Sequence, residues 1–352
     1  MTQGGASCGM LWLMDGLREA PRDTLGRPLG ALRISVTDRC NFRCRYCMPA
    51  EVFGPDHPFL PKDQVLAFEE ITRLARVFAV LGVTKLRLTG GEPLLRKDLP
   101  LLVADLAKTP GLQDLALTTN GALLAELAGP LRKAGLQRLT VSLDTLDASR
   151  FRALCDTEVP LAKVLKGLDA AREAGFTRIK LNCVVQRGVN DDEAEALAAF
   201  ARERGFTLRF IEFMDVGTAN GWKLDAVVPG QELCLRLAAH WPLAPVQPEA
   251  DAVARAWRYE DGAGEVGFIN SVTAPFCGGC DRARLSAEGR LHTCLFGAEG
   301  LDLRSALRSG LGDEDLAALI AARWKRRDDR YSELRSAGTA GLKKPEMSYL
   351  GG

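Results

Sequence analysis

Residues 40–47 read Cys40-Asn41-Phe42-Arg43-Cys44-Arg45-Tyr46-Cys47, a Cys-x3-Cys-x2-Cys spacing. Three thiolates on one short loop can each ligate one iron of a [4Fe–4S] cube. The fourth iron then has no cysteine and stays open to a ligand. A zinc site usually pairs Cys-x2-Cys with a second pair or with histidines, so this is not zinc spacing. It is not the four-cysteine run of a ferredoxin either. The plain alternative is a zinc or purely structural knot.

A second triad stands near the other end of the chain: Cys277-Gly278-Gly279-Cys280 and, thirteen residues later, Cys294. Two readings are open. One is a structural zinc site with His292 as fourth ligand, since a residue two positions from Cys294 in a strand points the same way. The other is a second [4Fe–4S] cluster with an open iron. Arg282 and Arg284 lie between these cysteines. Arginines are poor neighbours for Zn²⁺ and good partners for a phosphate-rich ligand, although solvated surface arginines would need no partner. The isolated Cys8, Cys155, Cys183 and Cys234 read as buried small apolar residues. His57, His240 and His292 read as loop or structural residues.

These residues have to be placed by a scaffold. From residue 31 short β-rich runs alternate with helical patterns. The strands are expected at Leu32–Val36, Lys85–Leu88, Asp114–Thr118, Arg138–Ser142, Arg178–Val185 and Thr207–Phe213. Helices are expected at Asp63–Leu81, Leu99–Lys108, Leu123–Ala134, Leu161–Ala174 and Asp191–Arg204, several ending at a glycine such as Gly135, Gly175 or Gly205. Six strands joined by crossover helices imply a parallel sheet. The fold class is α/β, an open (β/α)6 partial barrel, with a doubly wound flat sheet as the alternative.

Polar and glycine residues gather where these strands end: Thr89-Gly90-Gly91-Glu92, Thr119-Asn120-Gly121, Asp144, Glu212 and Met214. In barrels the C-terminal rim of the strands carries the site, so these groups should face one cavity. Arg33, Arg87 and Lys180 fall on three strands, and an inward-facing set of that kind calls for an anion.

After about residue 220 the pattern changes. Prolines gather at Pro229, Pro242, Pro245 and Pro248, then hairpin-like segments follow at Trp257–Thr273 and Arg284–Leu295, the second turning at Glu288-Gly289. A charged helix is expected at Glu314–Asp328. The organisation reads as a flexible extension at 1–24, a barrel at 25–220 and a smaller region at 221–352 that closes the open side. Its tail, Ser348 to Gly352, should be mobile.

The 352 residues are 47% hydrophobic with a net charge of +1, which fits a folded core and gives no global attraction to nucleic acid or an anionic membrane. No apolar run approaches the ~20 residues of a membrane span. The N-terminal stretch lacks the pattern of a signal peptide, and grouped cysteines suit metal ligation in a reducing compartment, so a cytoplasmic protein is expected.

The cysteine loop after the first strand, with Tyr46 before the last cysteine, and Gly90-Gly91-Glu92-Pro93 after the second resemble the motifs of the radical S-adenosylmethionine (SAM) superfamily. Within it, the chain from about Leu25 to Gly352 resembles the GTP 3′,8-cyclase family of molybdenum-cofactor biosynthesis. The segments that carry the likeness are Leu32–Met48, Leu86–Pro93, Thr118–Gly121, Val141–Asp144, Arg209–Gly217, Cys277–Leu285 and Gly351-Gly352.

The resemblance implies two [4Fe–4S] clusters and SAM. Cys40, Cys44 and Cys47 would hold the SAM cluster, and Tyr46, Gly91, Ser142 and Met214 would contact SAM. Cys277, Cys280 and Cys294 would hold a second cluster whose open iron binds guanine. Arg33, Arg87, Thr118, Lys180, Arg282 and Arg284 would contact GTP, with Arg209 a further functional arginine. Gly351 and Gly352 would reach into the active site. The implied chemistry is hydrogen abstraction from C3′ of GTP by a 5′-deoxyadenosyl radical, then closure of C3′ onto C8. An electron donor such as flavodoxin or ferredoxin, a downstream cyclic pyranopterin monophosphate synthase and a homodimer are the implied partners. Asp281 departs from the neutral residue usual beside Arg282. A radical SAM enzyme acting on a peptide and a non-catalytic zinc module are the rival readings.

Overall fold

The computed structural model describes residues 20–247, 252–335, 342 and 344–351. Met1 to Cys8 and on to residue 19, Pro248 and Gly352 lie outside the described residues.

The strands obey a strict two-residue alternation. β1 (Ala31–Ser35), β2 (Lys85–Thr89), β3 (Asp114–Thr119), β4 (Arg138–Ser142), β5 (Ile179–Val185) and β6 (Thr207–Glu212) lie within a residue or so of the expected bounds. One parity is aliphatic: Leu32, Ile34, Leu86, Leu88, Leu139 and Val141 are almost wholly buried. Removing such side chains from water contributes roughly 1.5–3 kcal/mol each, which fixes the register, because a one-residue slip would turn every one of them to the opposite face. The other parity carries Arg33, Arg87, Thr118, Arg138, Asn182 and Arg209, and these line a cavity.

Helices cover the aliphatic face: α1 (Phe68–Val80), α2 (Leu99–Leu106), α3 (Leu124–Lys133), α4 (Ala148–Cys155), α5 (Leu161–Glu173) and α6 (Ala194–Arg204). α1 shows why: Ile71, Leu74, Ala75 and Phe78 recur at helical spacing and are buried, while acidic Glu69 and Glu70 sit in its first turn. The chain leaves α3, α5 and α6 through Gly135, Gly175 and Gly205, all at positive φ (+103°, +86° and +70°). α4 was not expected from the sequence; Asp147 caps it by accepting from Arg150 N at 2.7 Å. The expected helix from Asp63 breaks into a 3-10 turn at Lys62–Gln64 before α1, because Leu66 N bonds instead to Ala287 O at 2.9 Å.

The remaining elements are α7 (Gly230–His240), β7 (Leu243–Pro245), β8 (Arg255–Tyr259), β9 (Glu265–Ile269), β10 (Arg282–Leu285), β11 (Arg290–His292), β12 (Leu301–Asp302), α8 (Leu303–Arg308), α9 (Asp313–Lys325), α10 (Tyr331–Leu334) and α11 (Met347–Leu350). Both hairpins form, as β8–β9 and β10–β11.

The sheet order is β12-β11-β10-β1-β2-β3-β4-β5-β6-β9-β8-β7. Six parallel strands were expected, yet eight run parallel side by side. β10 joins β1 in the register Arg33↔Arg284, and β9 joins β6 as Arg209↔Gly267. The C-terminal strands therefore widen the sheet at both edges. Side chains from both edges and the middle line one cavity, so the sheet curls around it. A flat doubly wound sheet, with helices on both faces, is not the architecture.

Candidate active site

The rim is built by loops that follow the strands. After β2, Gly90 (φ +145°) and Gly91 pass so close to the cysteine loop that a Cβ would lie 2.4 Å from Thr37 O and 2.3 Å from Arg39 O, respectively. Only glycine permits this approach. It lets Gly91 N donate to Thr37 O at 2.9 Å and Glu92 N to Arg39 O at 2.8 Å, fastening the two loops together. Glu92 is buried and accepts from Thr119 Oγ1 and Asn120 N, both at 2.7 Å, and from Leu94 N at 3.0 Å. Burial pushes its carboxyl up to about 7 against the pull of these hydrogen bonds.

Cys40, Cys44 and Cys47 line the cavity beside Gly91, Tyr46, Ser142 and Met214. Tyr46 donates its hydroxyl to Asp144 Oδ2 at 2.8 Å, and Val184 N donates to Asp144 Oδ1 at 2.8 Å. Burial raises Asp144 to about 6. Glu212, expected at the rim, turns away: its carboxylate accepts from Gly230 N and Val272 N and joins β6 to the later chain.

Deeper down the cavity is cationic. Arg33 and Arg87 are neighbours in register, Arg284 flanks Arg33, and Arg209 stands further round. Arg87 donates to Thr118 Oγ1 and Thr140 Oγ1, each at 3.0 Å, and Arg209 Nε donates to Asn182 Oδ1 at 2.9 Å. These partners are neutral. Burial, then mutual repulsion with Arg284, Arg87, Arg282 and Arg209, holds Arg33 well below the ordinary arginine range. Arg87 falls to about 10 and Arg209 to about 9, with burial the main cause in both. Arg138 is offset by its pair with Asp114. Lys180 is the exception to the expected set: it does not line the cavity, although Arg209, Arg138 and Arg87 add to burial in lowering it to about 8. Lys85, two residues before Arg87 and on the same face, does line it and was missed; Arg138 was missed likewise.

The second triad faces the same cavity from the far edge of the sheet. Cys277, Cys280 and Cys294 line it together with Arg282 and Arg284. Burial alone would raise the Cys280 thiol, but Arg282 and Arg327 outweigh it and bring it to about 6, a ready thiolate. His292 does not join the triad. Its Nδ1 lies 3.0 Å from Gly297 O, and since that carbonyl can only accept, Nδ1 carries the proton; the ring packs edge-on to Tyr349. His292 stands outside the cavity lining, so among the described residues the zinc reading finds no fourth ligand there. Among the described residues no three His, Cys, Asp or Glu groups converge on a single-ion site. Cys155 touches Cys44 but is buried outside the cavity lining, so among the described residues three thiols of each triad face the cavity, which fits a cube with one open iron.

Asp281 sits on the edge of the cavity, buried, with its backbone carbonyl accepting from Gly30 N and Ala31 N. The tail, which reads from sequence as mobile, is packed: Gly351 O accepts from Arg284 Nη1 at 3.1 Å, and Leu350 is fully buried. Lys344 bonds Asp215 Oδ2 at 2.8 Å and Glu346 accepts from Thr218 N at 2.8 Å, which holds the approach to this end. Part of the stretch read as a flexible extension is also packed: Asp23 is buried against Arg27 and Arg327.

A partial barrel with a three-cysteine loop after β1 and a Gly-Gly-Glu loop after β2 defines a radical SAM enzyme. The Radical SAM superfamily model matches residues 34–201, and the Molybdenum Cofactor Synthesis C model matches residues 206–333. The chain belongs to the GTP 3′,8-cyclase family. It is 55% identical to the GTP 3′,8-cyclase of Acidothermus cellulolyticus, over 94% of this chain and 99% of that protein. It is 51% identical to that of Xanthomonas campestris (97% and 100%) and 44% to that of Staphylococcus aureus (95% and 99%). Among solved structures, Streptococcus suis SuiB bound to S-adenosylmethionine shares the fold, with a TM-score of 0.59 at 16% identity over 88% of this chain and 66% of that one.

Proposed function

We propose that this chain converts GTP to 3′,8-cyclo-GTP, an early step of molybdenum-cofactor biosynthesis. The observation that carries this reading is a buried group of cations, Arg33, Arg87, Arg209 and Arg284, between two cysteine triads in one cavity. A triphosphate supplies the negative charge that this group lacks, whereas a peptide substrate has no comparable need for it.

Cys40, Cys44 and Cys47 would hold the first [4Fe–4S] cluster, with Tyr46, Gly91, Ser142 and Met214 around SAM. Bound together, cluster and SAM would supply a 5′-deoxyadenosyl radical to take hydrogen from C3′ of GTP; closure of C3′ onto C8 then needs one further electron, from the one-electron donor, and a proton to quench the nucleotide radical. The protein's part is placement. Arg33, Arg87, Arg282 and Arg284 hold the phosphates with charge-assisted hydrogen bonds, Thr118 keeps Arg87 oriented, and Lys180 adds charge from the start of β5. Cys277, Cys280 and Cys294 would hold a second [4Fe–4S] cluster, which would supply a binding point for the guanine base. Arg209 adds a further positive charge to the same cavity. The tail, packed as far as Gly351, helps to close the cavity against water and, with Gly352, steers the radical toward C3′.

A one-electron donor such as flavodoxin or ferredoxin, transfer of the product to cyclic pyranopterin monophosphate synthase, a homodimer and a cytoplasmic location complete the reading. In support of the location, no helix among the described residues is long and apolar enough to cross a membrane. The test is anaerobic incubation of the reconstituted protein with SAM, GTP and dithionite, followed by chromatography. Formation of 5′-deoxyadenosine with a cyclised nucleotide is expected. SAM cleavage with GTP recovered intact would reject the assignment.

A further inference from the structure

Beneath the second triad lies a buried ion-pair cluster. Asp23 Oδ2 accepts from Arg27 Nε at 2.6 Å and from Arg327 Nη1 at 3.2 Å, and all three side chains are at most 2% exposed. Each arginine then reaches one end of the cysteine turn. Arg27 Nη1 donates to Cys277 O at 2.8 Å, and Arg327 Nη1 donates to Cys280 O at 2.6 Å. Arg327 Nη2 goes further and donates to the Cys280 sulfur itself, at 3.2 Å. Its guanidinium lies over the Trp324 ring at 4.5 Å, and Asp329 stands 3.5 Å from its Nε. Asp329 is fixed in turn by Thr293 Oγ1 at 2.6 Å, one residue before Cys294.

Arg327 is thus immobilised on several sides with one N–H aimed at a cluster-ligand sulfur. Arg282 also stands near that sulfur, but it lies on β10 with its guanidinium over Phe276 among the cations assigned to GTP. Arg327 shares Asp23 with Arg27 and has Asp329 beside its Nε, so it stays buried without a substrate while its Nη2–H remains directed at the sulfur.

We infer that Arg327 is a positioning residue for the second cluster: its Nη2–H···Sγ bond fixes the Cys280 side chain and favours the reduced form of that cluster. The inference rests on the two-cluster reading. Its physical basis is that reduction adds negative charge to a cluster and its ligand sulfurs. A fixed cationic donor at one sulfur stabilises that added charge, strongly so where water is excluded.

The test uses the full-length protein, reconstituted anaerobically, with iron counted per chain and each cluster followed by electron paramagnetic resonance during a redox titration. Replacing Cys277, Cys280 and Cys294 together with Ala assigns the second signal. Arg327→Lys keeps a charge against Asp23 but loses the fork. It should retain both clusters, with the reduced-to-oxidised ratio of the second falling about tenfold at a fixed poise, about 59 mV for one electron. The first cluster should be unmoved. Arg327→Gln should lose iron from the second triad alone. A second-cluster potential in Arg327→Lys equal to the parent's, full iron at the second triad in Arg327→Gln, or loss of both clusters together would overturn the inference. A parent with iron only at the first triad would refute the two-cluster reading itself, and this is seen before any variant is made.

Discussion

The Tyr46 hydroxyl and the Asp144 carboxylate meet at 2.8 Å, so the cysteine loop after β1 is pinned to the end of β4 across the mouth of the barrel. Tyr46→Phe leaves Asp144 Oδ2 buried without this donor, a loss of about 1–3 kcal/mol. SAM affinity should fall several-fold while iron content stays at the parent level. Equilibrium binding of SAM measures it, and parent-like affinity with parent-like stability would remove Tyr46 from the site.

Arg33 is held among other guanidinium groups and is buried, so it opposes the fold until an anion arrives. Arg33→Met should therefore weaken GTP binding about tenfold or more, the loss of one charge-assisted hydrogen bond of roughly 1.5–3 kcal/mol. The same change should leave the ligand-free protein equally stable or more so. Isothermal calorimetry and thermal unfolding of one preparation check both halves.

Lys180 gives a pH dependence. Burial, with Arg209, Arg138 and Arg87, lowers it to about 8. Below that pH the ammonium is charged and attracts the triphosphate; above it the charge is lost, while the phosphates stay ionised. GTP affinity should thus decline as pH rises through about 8. In Lys180→Arg, whose side chain stays charged, the decline should flatten. Affinities measured on either side of that pH decide it.

Gly351 adopts φ +70°, and a Cβ there would lie 2.2 Å from Thr89 Cγ2. Gly351→Ala should push the tail away from Thr89. Both clusters and SAM cleavage should survive, and cyclised nucleotide should be lost. Product formation at the parent rate would show that the packed tail takes no part in the reaction.

The sequence showed a good deal of this, for local reasons. The six barrel strands announce themselves through alternation: in Lys85–Thr89 each cation is followed by a leucine, and the leucines proved to be the helix-covered face. The same alternation could have revealed Lys85 and Arg138, which share a parity with Arg87 and Thr140. Glu92 and Asp144 were visible as carboxylates at strand ends, but their buried hydrogen-bond networks depend on loops from other strands. The pairing of β10 with β1, and the approach of Arg327 to Cys280 across a sequence separation of 47, leave no local periodicity to read. Asp23 was hidden by its neighbours, since a short polar stretch beside a glycine-rich start looks frayed until its partners are known.

The most direct test of the central claim is anaerobic turnover of GTP carrying deuterium at C3′, with SAM and dithionite, and mass analysis of the 5′-deoxyadenosine formed. The account predicts one deuterium transferred into 5′-deoxyadenosine alongside a cyclised nucleotide. Unlabelled 5′-deoxyadenosine accompanying that nucleotide would contradict hydrogen abstraction at C3′ in this cavity.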